Sequence, residues 1–415
     1  MSNTRAMPGP REALRNSRIV RPSLAVASLR RERRSSKGTF FGPVRIEMVI
    51  VTDIGPDPDD AKALLIAAVL HAERHVRLRA VIANGGHQAR ERARLARAML
   101  DAIALPGVPV GVGTAGVEYA PQPHEYHFEG YEAVRDEQLH DGNELFVSAL
   151  RGAAHKSVRV VLISSLRDFA DVIASHPQLV LAKVHTVAIQ GGLQPSEAGV
   201  AGWEPDQSVN NTFDMDAARA VYAFCFDHGL HMTVTSRHAV PMLPMQLARS
   251  FAERKDCHAL QYLAGAQFLG LRGLWQKLCQ GKLPPRCSKQ WYFETFCGVP
   301  AAEFESRGLD ASVGPQTNIV AHLNGFVKPY DVIAIMTVLP QTTGLFAKLS
   351  AAFHFNGTSH LLLLGTQHTP SVAHVVNLLR DVRARRRVRC GAAQGPVRRG
   401  AARRERKRVR AATPT

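Results

Sequence analysis

Thr52-Asp53-Ile54-Gly55-Pro56-Asp57-Pro58-Asp59-Asp60 places four carboxylates within eight positions, between the apolar run Met48–Val51 and an apolar segment from Ala61 to Leu70. The first run predicts a strand and the second a helix, so the acids occupy a strand-to-helix turn. Carboxylates this close repel one another and oppose folding unless a cation or tight hydrogen bonding compensates them. Helix capping is the plainer explanation, because Asp is favoured at an N-cap and in a first turn. Capping needs one or two acids rather than four, and loops at the carboxyl ends of parallel strands are where open α/β sheets bind ligands. The turn therefore reads as a metal-centred active site.

Working outward, the pattern of short apolar runs alternating with helical segments continues. Strands are predicted at Val76–Ala83, Val108–Val112, Val158–Ser164, Val184–Gln190, Leu230–Thr235 and Leu361–Leu364. Helices are predicted near 89–104, near 143–155 and at Ser371–Arg380. Apolar runs of four to six residues bounded by turn signals suit strands covered on both faces. The expected fold class is α/β, with a mostly parallel central sheet and helices on both faces. A helical, aromatic insertion is expected near 240–300, carrying Trp275, Trp291, Tyr292 and Phe293.

Charge divides the 415-residue chain further. The net charge is +17, yet residues 1–45 hold eleven Arg/Lys against two Glu, and residues 383–415 hold thirteen against Glu405 alone. Those tails account for +9 and +12, which leaves −4 for residues 46–382. Three segments are expected: a basic tail that is disordered or targeting, a folded body over 46–382, and an Arg-rich disordered tail. Only the tails are suited to nonspecific contact with nucleic acid, and they lack the interleaved aromatics of a single-strand groove. No apolar run approaches the ~18 residues that span a bilayer, so no membrane association is expected. The expected location is the cytoplasm, or an organelle if residues 1–45 are a transit peptide. Six cysteines without a C-x-x-C pair read as reduced thiols. The sequence leaves a homo-oligomer open.

Several predicted strands end in polar groups. Asn84-Gly85-Gly86-His87 follows the second strand, Ser164-Ser165 the strand at 158, and Gln190-Gly191-Gly192 the strand at 184. Asn210-Asn211 leads to Asp214-Met215-Asp216-Ala217-Ala218, and Tyr330-Asp331 opens the apolar helix Val332–Leu339. Singly these are tight turns and N-caps. In their order, over roughly residues 46–380, they resemble the inosine–uridine-preferring nucleoside hydrolase family, of which this chain would be a divergent member.

That resemblance implies a nucleoside hydrolase-like fold, a bound Ca2+ and hydrolysis of the N-glycosidic bond of a ribonucleoside or related glycoside by a calcium-bound water, as in purine and pyrimidine salvage. It implies Asp53, Asp60, Ser164 (through its carbonyl) and Asp331 as metal ligands. Asp59, Asn84 or His87, Asn210 and Tyr330 fall at positions that contact the substrate. Calcium takes six to eight oxygen ligands, two of which a vicinal diol can supply. A neighbouring Asp then removes a proton from water, and carboxylates stabilise an oxocarbenium-like transition state. The departures are equally specific. The family's second motif Asp, a calcium ligand and the usual base, aligns with Gly55, which can do neither job; Asp57, assisted by Asp53, is the expected replacement. Ser208 stands where the family often has a sugar-binding Glu. The alternative is a catalytically silent member of the fold that binds a nucleoside or sugar.

Overall fold

Every residue from Glu47 to Thr52 is buried, and the side chains divide between two cores. Met48 and Ile50 enter one apolar cluster, whereas Val49 and Val51 enter the other. This is the behaviour of a strand covered on both faces, with side chains alternating across the sheet. The computed structural model describes residues 46–376, apart from residues 56, 86–87, 115–125, 340–341 and 374. Both basic tails, His87 and half of the helix expected at Ser371–Arg380 thus lie outside the described residues.

Among the described residues, the central sheet has nine strands. β1 (Ile46–Thr52), β2 (Val76–Ala83), β3 (Val110–Val112) and β4 (Leu139–Asp141) run outward to one edge. The chain then returns to place β5 (Val158–Leu162) against the other side of β1. β6 (Val184–Gln190) follows, and then β9 (Met232–Thr235), after the small hairpin β7 (Leu193–Val200) and β8 (Trp203–Pro205). β12 (Ala351–Phe355) and β13 (Thr358–Leu363) close the second edge, and β12 alone in this sheet runs antiparallel to its neighbour. The strand order reverses between β1 and β5, so a crevice opens there at the carboxyl ends, the place where such sheets receive ligands.

Most expected strands form with bounds within two residues of the prediction. The sequence reading missed β4, a three-residue edge strand, and β12, the strand at the opposite edge, whose half-buried Phe353 and Phe355 pack against the core. The strand at Leu361–Leu364 is the second arm of the hairpin that β12 begins.

The helical insertion lies between β10 (Leu243–Pro244) and β11 (Phe326–Val327), which pair with each other. It therefore extends beyond the expected limit near residue 300. Helix α1 (Pro58–Ala72) packs beneath it, and the Lys62 ammonium donates to the Gln267 side chain at 2.7 Å, on the long helix α2 (His258–Cys279). Trp275 of α2 is fully buried, donates its indole N–H to the Gly314 carbonyl at 3.1 Å, and meets Tyr292 and Phe293. Cys225, Cys279, Cys287 and Cys297 are free thiols; Cys257 is disulfide-bonded, contrary to the reading of every cysteine as reduced. Among the described residues, no helix is long and apolar enough to cross a membrane.

Because Trp275 fills the insertion's centre and shares the cluster that holds α1, its removal should loosen the whole lower-face core. Trp275→Ala is expected to cost about 3–5 kcal/mol, read as a lowered urea midpoint; a loss under about 1 kcal/mol would mean that the insertion packs independently of the body.

Candidate active site

Asp57 caps α1: its carboxylate accepts from the Asp59 N–H at 3.1 Å, and Pro58 follows at the first helical position. The capping role expected of one acid is thus filled by Asp57. The other three serve different ends. Asp60 accepts from the Thr52 hydroxyl and from the Asp53 N–H, the latter at 3.2 Å, which folds the turn over its own strand. Asp53 stays partly exposed, with the buried guanidinium of Arg92 at 3.9 Å. Asp59 points away from the strand, and its second carboxylate oxygen accepts from the backbone N–H of Asp331 at 3.1 Å.

That last bond joins residues 272 positions apart. Asp331 sits in the first turn of helix α3 (Tyr330–Thr337), so the early turn and the late acid meet. Asp59, Asp60 and Asp331 are only 3 %, 5 % and 6 % exposed. Burial pushes the Asp59 carboxyl up to about 7, a rise opposed by Lys62 and reinforced by Asp57. Burial, then Asp53, holds Asp60 well above the ordinary carboxylate range. Burial, then Asp60 and Asp59, does the same to Asp331. Three buried acids thus each raise the cost of ionising the next.

These groups line one cavity of about 300 Å³, together with Asp53, Asp57, Asn210 and Tyr330. Asn210 is aimed by its amide, which donates to the Gln190 carbonyl at 3.1 Å and to the Gln190 side chain at 2.6 Å. In the Gly191-Gly192 turn that follows, a Cβ on Gly192 would fall 2.2 Å from the Asp206 carboxylate, so that position has no room for a side chain. Asn84 and Ser164 are placed differently. Ser164 donates its hydroxyl to Asn84, whose amide donates to Asp168 at 2.6 Å and to the Ser165 carbonyl at 3.1 Å. Asp168 also accepts from the Thr114 N–H at 2.8 Å. This buried network ties together the loops after β2, β3 and β5, and the cavity wall beside it is Ile163. Asp214 caps the helix Met215–Asp227 and pairs with Arg167 at 2.6 Å.

The sequence reading missed Ile163, Gln190, Val209, Phe213, Arg237 and Arg286 as cavity residues. Gln190 and Ile163 carried a usable signal, because each stands at the carboxyl end of a predicted strand. Arg237 and Arg286 carried none, being single cations in unremarkable local sequence.

The donor set suits a hard dication. It offers several carboxylates, its buried acids repel one another, and one buried oxygen of Asp59 has no hydrogen-bond partner, with the Lys62 ammonium 3.9 Å from that atom. The fit is one of charge and donor type: among the described residues, no three carboxylate, His or Cys side chains already stand together as a metal cage.

No family model and no curated protein matches this sequence. Among solved structures, it is similar to the type III effector protein XopQ complexed with adenosine diphosphate ribose. That match has 24 % identity and a TM-score of 0.65, and covers 82 % of this chain and 94 % of that one. The effector protein XOO4466 matches at 24 % identity and a TM-score of 0.65, over 82 % and 95 % of the two chains. An inosine-guanosine nucleoside hydrolase matches at 12 % identity and a TM-score of 0.51, over 81 % and 98 %. The fold is that of the nucleoside hydrolases. Within the nucleoside hydrolase-like body, the acid turn, the Gln190-Gly191-Gly192 turn and Asp331 all lie at the carboxyl ends of the sheet or at the helices that face them.

Gly85 has a positive φ of 98°, and a Cβ there would stand 2.9 Å from the Asp53 side chain. Gly85→Ala is expected to cost about 1–2 kcal/mol from backbone strain alone and to displace Asp53, measured as a lower melting temperature with weaker calcium binding. Unchanged calcium affinity would separate Asp53 from the cation.

The raised Asp59 carboxyl has a definite sign. A carboxyl moved from 3.8 to about 7 on folding contributes stability that is complete below the unfolded value and is lost as pH rises through the folded one. Without added cation, the stability difference between the native chain and Asp59→Asn should therefore change between about pH 4 and about pH 7 in the direction that favours native at acid pH. A divalent cation such as calcium, if these carboxylates hold it, should raise Tm more above about pH 7 than below about pH 4, because it would bind the ionised cluster. A pH-independent calcium shift would contradict this account.

Proposed function

We propose that the cavity binds the ribosyl group of an N-riboside and that the protein hydrolyses its N-glycosidic bond with the help of Ca2+. The observation that carries this reading is the meeting of Asp59 with Asp331 inside a cavity at the sheet's reversal point. A ribosyl ligand also accords with the adenosine diphosphate ribose held by XopQ.

Asp53, Asp60 and Asp331 would hold the cation. When bound, calcium would neutralise the acid cluster, orient the sugar diol and make an attached water more acidic. The remaining steps belong to the chain. Asp59 and the Asn210 side-chain oxygen accept from the ribose hydroxyls; Gln190 takes both amide hydrogens of Asn210 and so turns that oxygen free for the sugar. Asp57, at the exposed rim of the cavity, is the proton acceptor from water. The carboxylates stabilise positive charge as it develops on the ring. Tyr330 is kept protonated by burial and by Asp59, so its hydroxyl can donate a hydrogen bond to the departing base.

Gly55 supports a second reading. It stands where the resemblance places a ligand and base carboxylate, so a chain lacking that group could bind the riboside without cleaving it. Release of reducing sugar from inosine or uridine, dependent on calcium, tests the two. The enzyme predicts turnover that falls by about 100-fold or more in Asp57→Asn and loss of both activity and calcium binding in Asp331→Ala. A calcium-induced rise in Tm with no sugar released from either nucleoside or from its 5′-phosphate would favour the silent binder instead.

A further inference from the structure

The cavity that gathers the carboxylates also carries two guanidinium groups. Arg237 follows β9, and Arg286 comes from the insertion. Among the described residues, neither forms an ion pair, with the cavity's carboxylates or with any other acid. The recorded hydrogen bond of the Arg237 side chain runs from Nε to the ring of its neighbour His238, at 3.2 Å. The cavity therefore holds unneutralised charge of both signs, with the acids and the cations kept apart rather than paired.

A single ligand can satisfy both sets. If the carboxylates and their cation take the 2′,3′-diol, the ring directs its base and its 5′ carbon away from that edge. A neutral base leaves Arg237 and Arg286 without a counter-charge, whereas a phosphoryl group accepts charge-assisted hydrogen bonds from them and is matched to the guanidinium fork. Arg237 also lines a second cavity of about 540 Å³, walled by Trp203, Gln194, His238 and Leu364. It thus stands at the join of two spaces, one of which is free to take whatever lies beyond the phosphoryl group.

Resting on the ribosyl reading above, we propose that the ligand is an anionic riboside carrying a phosphoryl group on its 5′ side. Arg237, with Arg286, forms the subsite that reads that group. The subsite makes the protein select phosphorylated ribosides over free nucleosides.

The test is calorimetric titration of the full chain, with calcium, by D-ribose and by D-ribose 5-phosphate, which makes the result independent of the base. The phosphorylated sugar is expected to bind about tenfold more tightly or better, as hydrogen bonds to charged groups allow. The ratio should shrink as salt is raised. Arg237→Gln should bring it to about one, and Arg237→Lys should leave an intermediate value, since an ammonium keeps the charge but loses the fork. Arg307→Gln, on an exposed helix far along the insertion and paired with Glu303, should leave the ratio unchanged. Ribose binding with no preference, or a preference that survives Arg237→Gln, overturns the phosphoryl subsite while the ribosyl site stands. Binding of neither sugar overturns both readings together.

Discussion

The hydrogen bond from the Asp331 amide to the Asp59 carboxylate is the point on which this architecture turns. It forms only if the first strand–helix unit and a helix nearly three hundred residues later share one crevice, which the reversal of strand order between β1 and β5 provides. Burying three acids together opposes folding, and their raised carboxyl values express that cost. Part of it is offset by the helices themselves. Asp59 and Asp60 lie in the first turn of α1 and Asp331 in the first turn of α3, so both N-terminal dipoles favour negative charge at the same place. The remainder is the driving force available to a cation or a ligand.

Around that point the structure is organised to keep polar loops rigid. The Asn84–Asp168–Thr114 network links three strand ends beneath the cavity, which gives the ligand-facing loops a common foundation. Such fully connected buried networks fix a single arrangement, because any member left unpaired is strongly penalised. The side chains of Asn84 and Ser164 thus belong to this foundation. Lys62 couples the acid cluster to the insertion: it lies near Asp59 and donates to Gln267 of α2. A change in how α2 packs is consequently felt at the acid cluster.

The electrostatic layout also limits what the cavity can hold. Acids, two arginines and a tyrosine surround about 300 Å³, with Val209 and Phe213 as apolar surface beside them. A purely apolar ligand would leave every charge uncompensated, and a simple anion would meet the carboxylates. A polyhydroxylated group with one charged end suits the layout, with the apolar side chains available to a flat ring.

The sequence by itself determined the layered α/β plan and the acid turn. Strand burial on two faces and carboxylate density are local properties, visible as runs such as Met48–Val51 and Asp53–Asp60. It also placed Asn210, Tyr330 and Asp331 among the candidates, through the order of landmarks shared with the nucleoside hydrolases. Only the tertiary structure decided which of these meet. It set Asn84 and Ser164 into a supporting network, put Ile163 in the wall, and brought in Arg237 and Arg286 from segments with no local mark of function. The reason is physical: a side chain's role depends on which distant element packs against it, and pairings across more than two hundred residues leave no periodicity to read.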